Sequence, residues 1–213
     1  MKNVVSYLVL ALILINCQEP KENLAENKFS KNVGQKIPID VAERWAARSR
    51  KNNRLSKTQE MGSISANTLR NLTASLNDYN GMIFHHALDD QGRYHTLLIP
   101  FLEGVPLWNT MQIVDAENDS PVEADLARDW AENYIDQNPH GIWSHFFGSH
   151  IFNTILSRTT FERMDLVHGS NDSNQPQILL YVIYSEVTQN GRSGGETVEV
   201  YDMSSPCPAY CAL

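Results

Sequence analysis

The chain has 213 residues, with 17 lysines and arginines against 25 aspartates and glutamates, a formal net charge of −8. That excess of acid repels phosphate backbones and anionic headgroups, which argues against a nucleic-acid partner. The length left after the N-terminal leader suits one ordinary hydrophobic core or two small ones.

The leader starts with the positive Met1-Lys2, runs through an apolar stretch from Val4 to Ile15, and ends in Leu14-Ile15-Asn16-Cys17. The apolar run falls short of the roughly 18 to 20 residues that span a bilayer. This layout is that of a bacterial lipoprotein signal: residues 1–16 are removed, and Cys17 is lipidated and becomes the first residue. It places the protein at the bacterial cell envelope, lipid-anchored to the outer membrane on its periplasmic face or at the cell surface. Residues 17–37 follow as a Lys/Glu/Asn-rich tether, too polar to bury a core.

The rest of the chain reads as α+β, with mainly antiparallel sheet built from two tandem α-α-β-β-β copies, 38–119 and 120–203, and a Cys-containing tail, 204–213. Val41-Ala42-Glu43-Arg44-Trp45-Ala46 returns as Leu126-Ala127-Arg128-Asp129-Trp130-Ala131. Asp40 with Glu43 predicts a capping box for the first helix. Ser120-Pro121-Val122-Glu123 predicts its counterpart, with Pro at the first helical position. Second helices are expected over about 64–76 and 145–157, where apolar residues recur at three and four.

Each helix pair leads into a hairpin. Met82–Leu88 and Tyr94–Leu102 flank Asp89-Asp90-Gln91-Gly92, while Arg163–His168 and Gln177–Glu186 flank Asn171-Asp172-Ser173-Asn174. Third strands end at Asp115 and Asp202. Leu97–Phe101 and Ile178–Ile183 are apolar at successive positions, as in strands covered on both faces. One face is assigned to the copy's own helices and the other to the second copy, giving two halves around a shared core with at least six strands.

The second copy contains His145-Phe146-Phe147-Gly148 and Ile155-Leu156, and the chain closes on Asp202-Met203-Ser204-Ser205-Pro206-Cys207-Pro208-Ala209-Tyr210-Cys211. Over about 124–211 it resembles a set of uncharacterised Bacteroidota lipoprotein-like proteins. These share a Trp-bearing helix, a His-Phe-Phe-Gly lead-in to a second helix, a short hairpin and a Pro-Cys-Pro-x-Tyr-Cys tail. The resemblance implies an origin and a fold, and no catalytic residues.

Chemistry-bearing residues are sparse. In an exported protein Cys207 and Cys211 read first as a disulfide, with free thiols or half of a metal site as alternatives. A turn centred on Asp90-Gln91 sets His86 opposite His95, where two imidazoles could share a metal with Asp89 or Asp90, yet no third ligand stands at a fixed spacing. His145 reads as a hydrogen-bonded structural residue. Trp108 and Trp143 lie in loop-like stretches, where an exposed indole suits ligand contact. No nucleophile signature or phosphate loop is present, and no cofactor is expected. The sequence therefore points to a membrane-tethered envelope lipoprotein with a non-enzymatic binding role toward a protein or extracellular ligand. The alternatives are a His-based metal-dependent hydrolytic enzyme and an acidic inhibitor or immunity-type protein.

Overall fold

The computed structural model describes residues 29–52, 61–76, 78–109, 112–187, 193–202 and 204–207. Cys17 and Cys211 lie outside them, as does the side chain of Cys207. The elements run β1 (Gln35–Ile37), α1 (Ile39–Asn52), β2 (Ser63–Ser65), α2 (Ala66–Ala74), β3 (Gly81–Leu88), β4 (Tyr94–Leu102), β5 (Val105–Pro106), β6 (Ile113–Asp115), β7 (Ser120–Val122), α3 (Ala124–Gln137), β8 (Ser144–Gly148), α4 (Ser149–Leu156), β9 (Phe161–Ser170), β10 (Pro176–Val187), β11 (Ser193–Asp202) and β12 (Ser205–Cys207). The order strand–helix–strand–helix–strand–strand–strand occurs twice, with β5 and β12 as short additions.

The strands form two antiparallel sheets: β1-β11-β10-β9-β2, and β12-β8-β3-β4-β6-β7 with β5 on β4. In each, one copy supplies the three central strands and the other copy supplies a short strand on either side. The two copies are thus exchanged about a pseudo-twofold axis. The helices follow the same rule. Trp45, Ala42 and Ala46 of α1 pack on Leu179 and Val200 of the second copy. Ala127, Ala131 and Trp130 of α3 pack on Ala87, Leu97, Ile99 and Ile113 of the first. Each copy's first helix therefore covers the other copy's sheet, where the sequence had assigned it to its own. The short strand before each first helix explains this: it pairs across the exchange and carries the helix with it.

Between the sheets lies the main core. Met82, Phe84 and Leu98 face Met164, Leu166, Ile178 and Leu180, with Leu69 and Leu72 of α2 and Ile151, Phe152 and Ile155 of α4 closing it. Each large apolar side chain fully buried there contributes about 1.5–3 kcal/mol. Leu97–Phe101 is buried throughout, and in Ile178–Ile183 Tyr181 alone is half-buried, at the edge of α1.

The hairpin turns repeat in atomic detail. Asp89 Oδ1 accepts from the N–H groups of Gln91 and Arg93 at 2.9 and 2.8 Å. Asn171 Oδ1 accepts from those of Ser173 and Gln175 at 3.0 and 2.9 Å. The fourth residue of each turn is left-handed, Gly92 at φ 73° and Asn174 at φ 59°, a region open to Gly and Asn. The opposing helix ties down each turn: Arg48 donates to the carbonyl of Ser170 at 3.2 Å, and Asn133 to that of Leu88 at 3.1 Å.

Several local expectations change. α1 opens on the carbonyl of Pro38, which accepts from Val41 and Ala42, so Asp40 lies inside the first turn and is not its cap. Ser120–Val122 is a strand, and α3 starts at Ala124 without a side-chain cap. The helix expected from 64 is preceded by β2 and capped by Ser65, whose Oγ accepts from the Thr68 N–H at 3.2 Å. His145-Phe146-Phe147-Gly148 is strand, because Met82, Ile83 and Phe84 of β3 pair with it. The tether ends before residue 37: Phe29 and Val33 pack on Ile83, Phe101 and Phe146. Gly148 permits this, since a Cβ there would lie 2.3 Å from the carbonyl oxygen of Lys31.

Candidate functional site

Three places are candidates for a functional site. The first lies between the sheets. His86 and His168 each stand three residues before the capping residue of their turn, and the pseudo-twofold brings them together, rings stacked with centroids 6.0 Å apart. His145 meets His86 edge-on at 5.8 Å, and Tyr94 and Tyr134 complete the cluster. The Tyr94 hydroxyl and His86 Nδ1 are hydrogen-bonded to each other. His145 Nδ1 pairs with Ser204 Oγ at 3.1 Å. Ser204 in turn lies 3.4 Å from both Asp202 Oδ1 and Gln177 Oε1. This is not a nucleophile–base–acid relay: the carboxylate sits beside the serine and not behind the imidazole. Burial pushes His145 down to about 3, with the His168 charge adding to it, and His168 down to about 4. His86 falls well below its ordinary range, first through burial and then through its three histidine neighbours. At neutral pH all three are neutral.

The second place lies beneath α3. His95 Nδ1 is 3.0 Å from Asp115 Oδ2, and its Nε2 is 3.5 Å from Asp89 Oδ2, so the imidazole sits between two buried carboxylates. Trp130 stacks on the ring at 4.5 Å. Burial raises the Asp89 carboxyl, but hydrogen bonds from the Arg93 N–H, the Arg93 guanidinium, the Gln91 N–H and His95 outweigh it and hold the group at about 2. Asp115 also accepts from the Glu117 N–H at 3.0 Å and from the Asn118 side chain. At the corresponding positions the second copy has Asn171, Gln177 and Asp202, so an amide stands where the first copy has the imidazole.

The third place is open. On the outer face of the five-stranded sheet, beside α1, a groove of about 510 Å³ is lined by Ser63, Arg163, Asp165, Tyr181, Ile183, Glu196 and Val198 among others. The Arg163 guanidinium lies 3.3 Å from Asp165 and 3.4 Å from Glu196, and Ser63 Oγ donates to Asp165 at 2.7 Å.

The sequence-picked residues are dispersed. His86 pairs with Thr96, and His95 with Ala87. The turn spans Asp89 to Arg93, closed by Asp89 N–H to the Arg93 carbonyl at 3.0 Å. This register differs by one residue from that of a turn centred on Asp90-Gln91, so His86 and His95 project from opposite sheet faces. Among the described residues, no group of three or more His, Cys, Asp or Glu side chains is placed to hold a metal ion. His85 donates to the His86 carbonyl at 2.7 Å and is depressed to about 4 by burial, which that bond partly offsets. Trp108 is buried at 5% exposure, edge-on to His85 at 5.7 Å. Trp143 is half-buried and donates to the Asn138 carbonyl at 2.9 Å. Cys207 closes β12 against Ser144 of β8; its pairing with Cys211 lies outside the described residues, as does lipidation at Cys17. The groove was missed because its residues come from four strands, and none carries a motif. Comparison with protein-family models, with curated proteins and with solved structures found no match.

Proposed function

We propose that this chain is a non-enzymatic binding module held at the bacterial cell envelope through lipid on Cys17, and that it engages its partner through the groove on the five-stranded sheet. One observation carries the reading: the two histidine clusters are buried, whereas the groove is concave, open to solvent, and mixes apolar side chains with charge. A hydrolytic site needs its base and nucleophile within reach of substrate. His145 and Ser204 lie inside the molecule, at 1% and 8% exposure. Among the described residues no helix is long and apolar enough to cross a membrane. A lipid anchor at Cys17 would supply the attachment, and the residues between it and Phe29 can extend at most about 40 Å. The 124–211 resemblance supports the same bacterial, lipoprotein-like origin.

Two measurements test this. Cys17→Ser in cells should abolish palmitate incorporation and release the protein from the membrane fraction; unchanged labelling contradicts the anchor. A photo-crosslinking residue at Val198, in the groove, should capture a discrete partner that the same residue at Leu126, exposed on α3, does not. Equal capture at both positions contradicts the groove as the binding face.

A further inference from the structure

The pseudo-twofold gives several groove residues a counterpart on the seven-stranded sheet, and part of that counterpart surface is occupied. Counted from the capping residues Asp89 and Asn171, Asp165 corresponds to Ile83, Ile183 to Phe101 and Tyr181 to Ile99. Ladder pairing extends the match: Ser63 pairs with Asp165 as Phe146 pairs with Ile83. On the seven-stranded sheet, Ile83, Phe101 and Phe146 form an apolar patch covered by Phe29 and Val33 of the N-terminal segment. The Phe29 ring lies 4.9 Å from that of Phe101 and 5.3 Å from that of Phe146. The segment runs on as backbone, Val33 and Lys31 accepting from the N–H groups of Gly148 and His150 at 2.8 and 3.1 Å.

Among the described residues no equivalent segment covers the five-stranded sheet. The chain before β7 is already used as β6 and its turn, whereas the chain before β1 is free to lie across the fold. Among the described residues the groove is therefore the uncovered twin of a position that holds an irregular chain segment by an aromatic side chain. Its lining includes the half-buried Tyr181, the buried Ile183 and the exposed Val198, with Glu117, Asp165 and Glu196 around Arg163, the one cation among the described lining residues. Acids outnumber bases there, as they do in the whole chain.

We infer that the groove binds a segment of a partner protein that presents an aromatic side chain flanked by lysine or arginine. The aromatic ring lies against Tyr181 and the exposed Val198, which flank Ile183, the counterpart of Phe101. The flanking cations meet Asp165, Glu196 and Glu117, and compete with Arg163 for the first two. This inference rests on the groove being the binding face and adds the chemistry of its occupant. Charge complementarity of this kind sets partner choice and association rate, and salt screens it.

The test uses the full-length chain and three fluorescein-labelled eight-residue peptides: Lys-Thr-Lys-Phe-Thr-Lys-Val-Lys, the same peptide with Glu for every Lys, and the same with Ala for Phe. Fluorescence anisotropy should show the first binding at least tenfold more tightly than either other peptide, and weakening at least threefold between 50 and 300 mM salt. Asp165→Lys combined with Glu196→Lys should abolish that preference, and Val198→Glu should weaken binding of the first peptide at least fivefold. Circular dichroism and melting curves confirm that both variants fold. Equal binding of the acidic peptide, indifference to the Phe→Ala change, or unchanged binding by the variants would each overturn the inference. If none of the peptides binds while Val198 crosslinking still captures a discrete partner, the occupant's chemistry is wrong and the binding face stands. If crosslinking fails as well, both are wrong.

Discussion

Acid should unfold this protein in a pH range where most domains are still stable. His85, His145 and His168 have folded-state values of about 4, 3 and 4, against an ordinary 6.5. Burial is the first cause in each case. The unfolded chain takes up a proton at each site as pH falls through 6.5, while the folded chain refuses it until near 4. Their contribution is therefore complete above about pH 7 and is lost progressively between 6.5 and 4. At pH 5.5 an unfolded histidine is already largely protonated. The loss is then set almost wholly by the unfolded value, about 1.4 kcal/mol per site. Three sites give about 4 kcal/mol, a large share of the 5–15 kcal/mol typical of a domain. His86, depressed in the same direction, adds to it. Urea unfolding at pH 7.5 and 5.5 measures the difference directly. His168→Gln should flatten the pH dependence by about 1.4 kcal/mol, whatever its own effect at pH 7.5. Stabilities equal within 1 kcal/mol at the two pH values, or resonances of His85, His145 or His168 in the folded protein titrating near 6.5, would refute the reasoning.

Other outcomes follow from the packing. Gly148→Ala forces a Cβ against the Lys31 backbone; it should cost about 1–3 kcal/mol and expose the chain near Phe29 to limited proteolysis. Phe29→Ala should cost about 2 kcal/mol, less than a fully buried Phe because its ring is only partly covered, read as a lower urea midpoint. Trp45→Ala should destabilise by about 3 kcal/mol, and Trp130→Ala by a comparable amount, by thermal or chemical unfolding. Asn171→Ala removes the acceptor of two turn N–H groups and should cost about 1 kcal/mol in the same assay.

The duplication was legible because its signals are local. The Ala-x-x-Trp-Ala helices, the Asp/Asn turns and the unbroken apolar strands each report on neighbouring residues. The exchange was not legible, because it depends on strands of three to five residues such as Gln35–Ile37 and Ser63–Ser65. These are too short to show a period, and they choose partners far away in sequence. The capping signals at Asp40 and Ser120 misled for a related reason: a strand must end before the helix can begin, and pairing across the copies sets that point. His86 and His95 show how little separates two site hypotheses. Five residues close the Asp89–Arg93 turn, the register moves by one, and the imidazoles part to opposite faces. The pairing of His86 with His168 needs the pseudo-twofold, and the Asp89–His95–Asp115 cluster needs the ladder between β4 and β6. The groove's residues come from four strands and its counterpart surface carries Ile83 and Phe146 where it has Asp165 and Ser63, so no repeat signal marks it.

The strand-exchanged halves are tested most directly by separating them. Fragments 29–119 and 120–213 each carry the edge strands and covering helix of the other's sheet. Each alone, kept monomeric and checked by sedimentation, should lack near-ultraviolet dichroism and a cooperative melt, and a one-to-one mixture should restore both. A single monomeric half that unfolds cooperatively would contradict the exchange.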